Sequence, residues 1–224
     1  MSESRRSHMP DWILAVVAVV LAIKAFWPAR QETARSEEGV ATANVAPDTW
    51  KEAAAGPLSR GPLAARDTVV EFMDFECPYC REFAMRLDTI LERTQGTTLV
   101  VVQHFPLSIH RFAVPAAIVA ECAQRQGAFW QVYRVLFTKQ DSLGLKDWRS
   151  YAQEAGVPDL DAFEGCRKLP ADSFPRIASG VDIGERGGVR STPTVWINGE
   201  SRRGTQAIGP LRQLLAAGKR VKSD

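Results

Sequence analysis

Two cysteines separated by two residues, Cys77-Pro78-Tyr79-Cys80, stand where a β-rich apolar run gives way to a helical pattern. Val69-Val70-Glu71-Phe72-Met73 leads into them, and Phe83, Leu87, Ile90 and Leu91 follow at spacings of three and four. Pro78 suits a first helical turn, where no backbone N–H is needed and its fixed φ is already right. Cys77 is therefore expected at the mouth of a helix, beside unpaired N–H groups and the positive end of the dipole. That position favours thiolate over thiol, and the thiolate is the reacting species. Cys80 falls one turn deeper, within reach of Cys77 and shielded enough to resolve a mixed disulfide. The chemistry that this spacing points to is dithiol–disulfide exchange.

Two plainer uses of the pair compete with it. Half a zinc site is one, but zinc normally needs four ligands. Cys122 and Cys166 are single and far apart, and there is neither a second C-x-x-C nor an H-x-x-x-H, so no metal site is expected. A purely structural bridge is the other, although this spacing at a helix start gives a strained, reactive bond.

The elements that must position the pair can be read on either side of it. Thr68 to Met73 reads as a strand, 79–94 as a helix and Thr97 to Phe105 as a second, β-branched strand. From Pro106 to about Gly187 the pattern is helical, over 111–125, 127–138, 146–155, 159–168 and 172–186. Gly127, Gly144, Pro158 and Pro170 separate these segments. Thr194 to Ile197 is a strand, Asn198-Gly199 a hairpin turn, and Ser201 to Gly204 the returning strand. A helix over about 207–217 closes the chain. This order predicts an α/β fold with a central sheet, helices on both faces and a helical block inserted midway.

Ahead of this body, residues 1–10 form a polar tail and residues 11–27 carry an apolar run from Trp12 to Trp27 broken only by Lys24. Sixteen helical residues span about 24 Å against a hydrocarbon core of about 30 Å. Lys24 can snorkel and the tryptophans can mark both interfaces, which predicts a membrane anchor. A cleaved signal segment ending near Val20-Leu21-Ala22 is the alternative. Residues 28–60, rich in Ala, Pro, Glu, Arg and Thr, read as a flexible linker in which Trp50 marks nothing, with a short helix around Trp50 to Ala55 and docking of Trp50 on the domain as the alternatives. The folded domain is expected over 61–224. A net charge of +2 gives no argument for nucleic acid, and 45% hydrophobic content supports a packed core. Four cysteines allow two pairs, and structural pairs persist only outside the reducing cytosol.

Three landmarks, taken in order, give the body a family resemblance. They are Phe75-Glu76-Cys77-Pro78-Tyr79-Cys80, then Gln126-Gly127-Ala128-Phe129-Trp130 with Leu136-Phe137, then Ser191-Thr192-Pro193-Thr194. Residues 61–217 resemble the DsbA-like thiol–disulfide oxidoreductases of the thioredoxin superfamily. The resemblance implies a thioredoxin-like fold with a helical insertion over about 107–187. It implies Cys77 as nucleophile and Cys80 as resolving thiol, with Pro78 and Tyr79 tuning the thiolate. It places Thr192-Pro193 in a cis-proline loop that presents backbone to substrate, and Glu71 as the buried acid that exchanges a proton with Cys80. A water-facing strand glutamate is the other reading of Glu71. Asp74 and Glu76 are expected at the surface, and His104 and His110 in structural or surface roles, with a place on the active face as the alternative for the histidines. The resemblance also implies a Cys122–Cys166 disulfide within the insertion, with two buried thiols as the alternative.

Function is implied in the same way: disulfide donation to secreted or envelope proteins bearing cysteines, by a monomer with no cofactor, tethered to a bacterial membrane with its catalytic domain outside the cytosol. Reoxidation would fall to a quinone-linked membrane partner of the DsbB or VKOR type. A reductase or isomerase, or a non-catalytic tethered chaperone using the cis-proline groove, are the alternatives.

Overall fold

A computed structural model describes residues 43–203 except Gln95. The Trp12–Trp27 run and the closing helix expected over 207–217 lie outside the described residues. Among those described, no helix is long and apolar enough to cross a membrane.

The architecture is a mixed six-stranded sheet with helices on both faces. Its strands are β1 (Ala43–Asn44), β2 (Ser59–Arg60), β3 (Asp67–Met73), β4 (Thr98–His104), β5 (Thr194–Ile197) and β6 (Glu200–Arg203). They lie in the order β1-β6-β5-β3-β4-β2. Only β3 and β4 run parallel, in register from Asp67↔Thr98 to Met73↔His104. The crossover between them is α2 (Pro78–Arg93), as a parallel pair requires. β5 returns antiparallel on the other side of β3, and Asn198-Gly199 turns it into β6. That turn needs positive φ at both positions, and they show 50° and 90°.

Strand alternation divides the core in two. Val69, Met73, Val100, Val102, Val195 and Ile197 face α2 and the insertion. Val70, Phe72, Leu99, Val101 and Trp196 face the opposite layer, where Ile183 and Val189 cover them. Glu71 sits between Val69 and Met73 in this alternation, so it points under α2.

The insertion consists of α3 (Ala113–Gln124), α4 (Phe129–Thr138), α5 (Trp148–Glu154), α6 (Leu160–Arg167) and α7 (Pro175–Arg186). Asp147 and Asp159 cap α5 and α6 by accepting backbone N–H bonds. Phe129 is buried, and Trp130 and Trp148 pack against the same core. Cys122 of α3 and Cys166 of α6 are joined, with their Cα atoms 5.8 Å apart. His104, Glu121 and Arg176 tie β4, α3 and α7 together: His104 Nε2 lies 3.0 Å from Glu121 Oε1, and Arg176 holds both carboxylate oxygens. Burial alone would raise the Glu121 carboxyl, but the bonds from His104 and Arg176 hold it below its ordinary value.

The linker expected up to residue 60 ends earlier. The ordered fold begins by Ala43, because residues 43–60 supply β1, α1 (Pro47–Ala54) and β2, the two edges of the sheet. Val45 and Ala53 are buried in the second core, and Trp50 packs against it rather than marking nothing. Gln103 Nε2 donates to Ala53 O at 2.8 Å and fixes the end of α1. The stretch reads as polar because it buries one narrow side only.

Candidate active site

β3 ends in a turn that delivers Cys77 to the start of α2. Cys77 N donates to Asp74 O at 3.1 Å, Pro78 opens the helix, and Arg81 N closes its first turn on Cys77 O at 3.2 Å. Gln140, from a short 3-10 turn after α4, donates through Nε2 to Phe75 O at 2.7 Å and Cys77 O at 2.9 Å. Both carbonyls are thus satisfied where the chain turns into the helix. Cys77 and Cys80 are reduced and buried, while Pro78 and Tyr79 are exposed, Tyr79 at 57%.

Opposite the dithiol, the Thr192–Pro193 bond is cis and both residues are buried. When protonated, the Cys77 thiol donates to Thr192 O at 3.2 Å. The Thr192 hydroxyl is buried and has no hydrogen-bond partner of its own.

The two sulfurs are driven apart in acidity. Cys77 is lowered to about 6, chiefly by the hydrogen bond from the Cys80 thiol. Burial opposes this, and the N–H groups of Cys80 and Tyr79 assist. Burial pushes Cys80 well above the usual thiol range, as do its bond to Cys77 and the charges of Glu71 and Cys77. Glu71 is 0% exposed and raised to about 8: burial dominates, the Cys77 charge adds to it, and a bond from Tyr133 partly offsets it. The Tyr133 hydroxyl donates to Glu71 Oε2 at 3.1 Å, whereas Oε1 has no partner. Near neutral pH the site therefore holds a thiolate at Cys77, a thiol at Cys80 and a carboxylic acid at Glu71.

Asp74 departs from its expected surface position. It is 2% exposed and accepts from Glu76 N (2.8 Å), Leu107 N (2.8 Å) and His110 Nδ1 (2.7 Å). Glu76, half-buried, accepts from Phe112 N at 2.5 Å. Together these carboxylates pin the 107–112 loop beside the dithiol. Gly144, at φ +77°, closes against this loop, since a Cβ there would meet the Phe112 ring at 2.1 Å. An aspartate whose side chain bonds the N–H two residues on is an Asx-turn, a signal present in Asp74-Phe75-Glu76. Tyr133 and Gln140 were not anticipated. For Tyr133 the available signal was a phenol at a core-facing helical position, whose hydroxyl needs a buried partner.

A family model described as thioredoxin matches residues 53–217. The chain belongs to the thioredoxin superfamily. Solved structures that share its fold include a DsbA protein and BdbD. Pseudomonas aeruginosa DsbA2 is 25% identical, with a TM-score of 0.57 over 73% of this chain and 96% of that one. BdbD from Bacillus subtilis shares the fold at 17% identity and a TM-score of 0.61, over 79% and 96%. In sequence, the chain is 40% identical over 157 residues to the Na(+)/H(+) antiporter NhaA 3 of Salinispora tropica, covering 68% of this chain and 23% of that protein. It is 34% identical over 162 residues to NhaA 1 of Mycolicibacterium gilvum, covering 71% and 26%. The chain thus spans about a quarter of the length of these antiporter relatives.

Proposed function

We propose that this protein donates disulfides to extracytoplasmic proteins through Cys77 and Cys80. The observation that carries the reading is the split between the two thiols above a neutral carboxyl. A thiolate held at about 6 stabilises the reduced dithiol, which makes the oxidised pair a better electron acceptor. In the exchange, a client thiolate attacks Cys77 Sγ of the Cys77–Cys80 disulfide. The client–Cys77 bond forms and the Cys77–Cys80 bond breaks. Cys80 leaves with the electron pair and takes a proton from Glu71, which is protonated at neutral pH. A second client thiolate then displaces Cys77 as its thiolate, and the client leaves oxidised. Thr192 and Pro193 would present backbone to the client beside Cys77, and exposed Tyr79 would lie against it. A quinone-linked partner of the DsbB or VKOR type would restore the disulfide, and the Trp12–Trp27 run would tether the domain to the membrane. One structural relative is a periplasmic thioredoxin-like protein from Salmonella enterica, in keeping with an extracytoplasmic site.

The antiporter relatives favour a second reading of the client. A segment like this one forms about a quarter of proteins named Na(+)/H(+) antiporters, so a membrane transporter is a candidate target.

Trapping tests the proposal. In the full chain with Cys80→Ala, a Cys77–client mixed disulfide cannot be resolved and should accumulate on envelope proteins. Adducts that persist when Cys77→Ser is added, or no adducts at all, would sink it.

A further inference from the structure

Glu71 and Tyr133 form a buried pair whose upkeep dithiol exchange leaves open. A carboxyl sealed beneath the dithiol can hand over one proton and is then a buried anion. Burying an unpaired anion is strongly unfavourable, so the group must regain its proton from solvent before the next turnover. Glu71 is fully buried and cannot meet solvent itself. Among the described residues, the Tyr133 hydroxyl is the lone hydrogen-bond partner of its carboxyl oxygens.

Tyr133 also lines a surface cavity of about 130 Å³ with Arg60, Leu87, Asp88, Trp130 and Arg134. A water's share of liquid volume is about 30 Å³, so the cavity has room for a short chain of waters. Polar groups stand at its rim to hold them. Arg60 Nη1 lies 2.5 Å from Asp88 Oδ1, and Arg134 Nη2 lies 2.5 Å from Asp88 Oδ2. All three side chains are more than a third exposed, so the rim is open to solvent.

We propose that Tyr133 is a positioning residue that connects the buried Glu71 carboxyl to this cavity and relays the proton that Cys80 gains or loses. The inference rests on the disulfide-donating reading above. As Glu71 gives its proton to Cys80, its other carboxyl oxygen, Oε2, takes the phenolic proton. The phenol oxygen takes a proton from a cavity water at the same time, and buffer acid resupplies that water. No electrons move in this step. The phenol stays protonated throughout, because burial and the charges of Glu71 and Cys80 push it well above its ordinary value. The titratable groups facing the pair are Cys77, just before α2, and Cys80 and Asp88 within it, and Arg60 and Arg134 neutralise Asp88.

The test is the rate at which dithiothreitol reduces the oxidised full chain, per unit of dithiothreitol thiolate, followed by alkylation of Cys80 across pH. Wild type, Tyr133→Phe, Glu71→Gln and the double variant are compared. Tyr133→Phe should slow the reaction roughly three- to tenfold, the equivalent of one hydrogen bond. Its alkaline fall-off should move to higher pH, because the phenol bond favours the carboxylate form of Glu71. The double variant should be no slower than Glu71→Gln alone. Tyr133→Phe at the wild-type rate, with Glu71→Gln slow, would overturn the relay and leave the acid role of Glu71 standing. Additive losses in the double variant would also overturn it, since Tyr133 would then act through packing. A wild-type rate for Glu71→Gln would remove the acid role itself, and the relay with it.

Discussion

Glu71→Gln separates the thermodynamic consequence of burying this carboxyl from its chemistry. The structure holds the group at about 8 rather than 4.5, mainly by desolvation. The folded-state value is raised, so the stability this group allows is fully present below the unfolded value and is lost as pH rises from 4.5 through about 8. At 1.36 kcal/mol for each pH unit between the two values, the loss is about 3 kcal/mol at pH 7 and about 5 kcal/mol well above pH 8. Glutamine carries no charge at any pH, and its carbonyl can still accept the bond from Tyr133. The variant should therefore match wild type near about pH 4 and become the more stable protein as pH rises. The assay is the urea midpoint of the full chain at a series of pH values, with both cysteine pairs oxidised so that the Cys122–Cys166 bridge stays intact. Burial, the dominant cause, does not depend on the state of the dithiol. A stability difference that is constant with pH, or a wild type that gains on the variant as pH rises, would refute the reasoning. Glu71 would then be ionised and stabilised in the fold.

Two further perturbations address the supports of the site. Replacing Cys122 and Cys166 together with alanine opens a bridge across 44 positions and should remove up to about 4 kcal/mol in the chain-entropy model. The redox potential of Cys77–Cys80 should stay unchanged, and equilibrium unfolding beside that potential measures both effects. Asp74→Asn turns an amide N–H₂ toward donors that now meet a carboxylate, and should cost about 1–3 kcal/mol of stability. It should also raise proteolytic cleavage in the 107–112 loop, which that carboxylate pins; an unchanged midpoint and unchanged cleavage would contradict the structure.

Much of this site was legible because its signals are local. A period of two in Val69-Glu71-Met73 tells which residues share a face, and Cys77-Pro78 carries its own helix start. Asn198-Gly199 specifies its turn through the φ values it tolerates. What stayed hidden depends on partners distant in the chain. Residues 43–60 bury only Val45, Thr49, Ala53 and Leu58. Their place is set by pairings such as Ala43↔Ser201 and Ser59↔Val101, which no local window reveals. Asp74 reads as an ordinary polar turn residue until the loop bearing Leu107 and His110 folds over it. Tyr133 looks like one more aromatic in a helix whose neighbours Phe129 and Phe137 are purely core, and only the sheet beneath it supplies Glu71.

The most direct measurement is the equilibrium redox potential of the Cys77–Cys80 pair in the full chain against glutathione, followed by thiol alkylation. A Cys77 thiolate stabilised at about 6 predicts an oxidising pair, between the values of about −120 mV for strong oxidants and about −180 mV for isomerases. A potential near about −270 mV, in the range of thioredoxin, would contradict disulfide donation and make this protein a reductase that needs an electron supply.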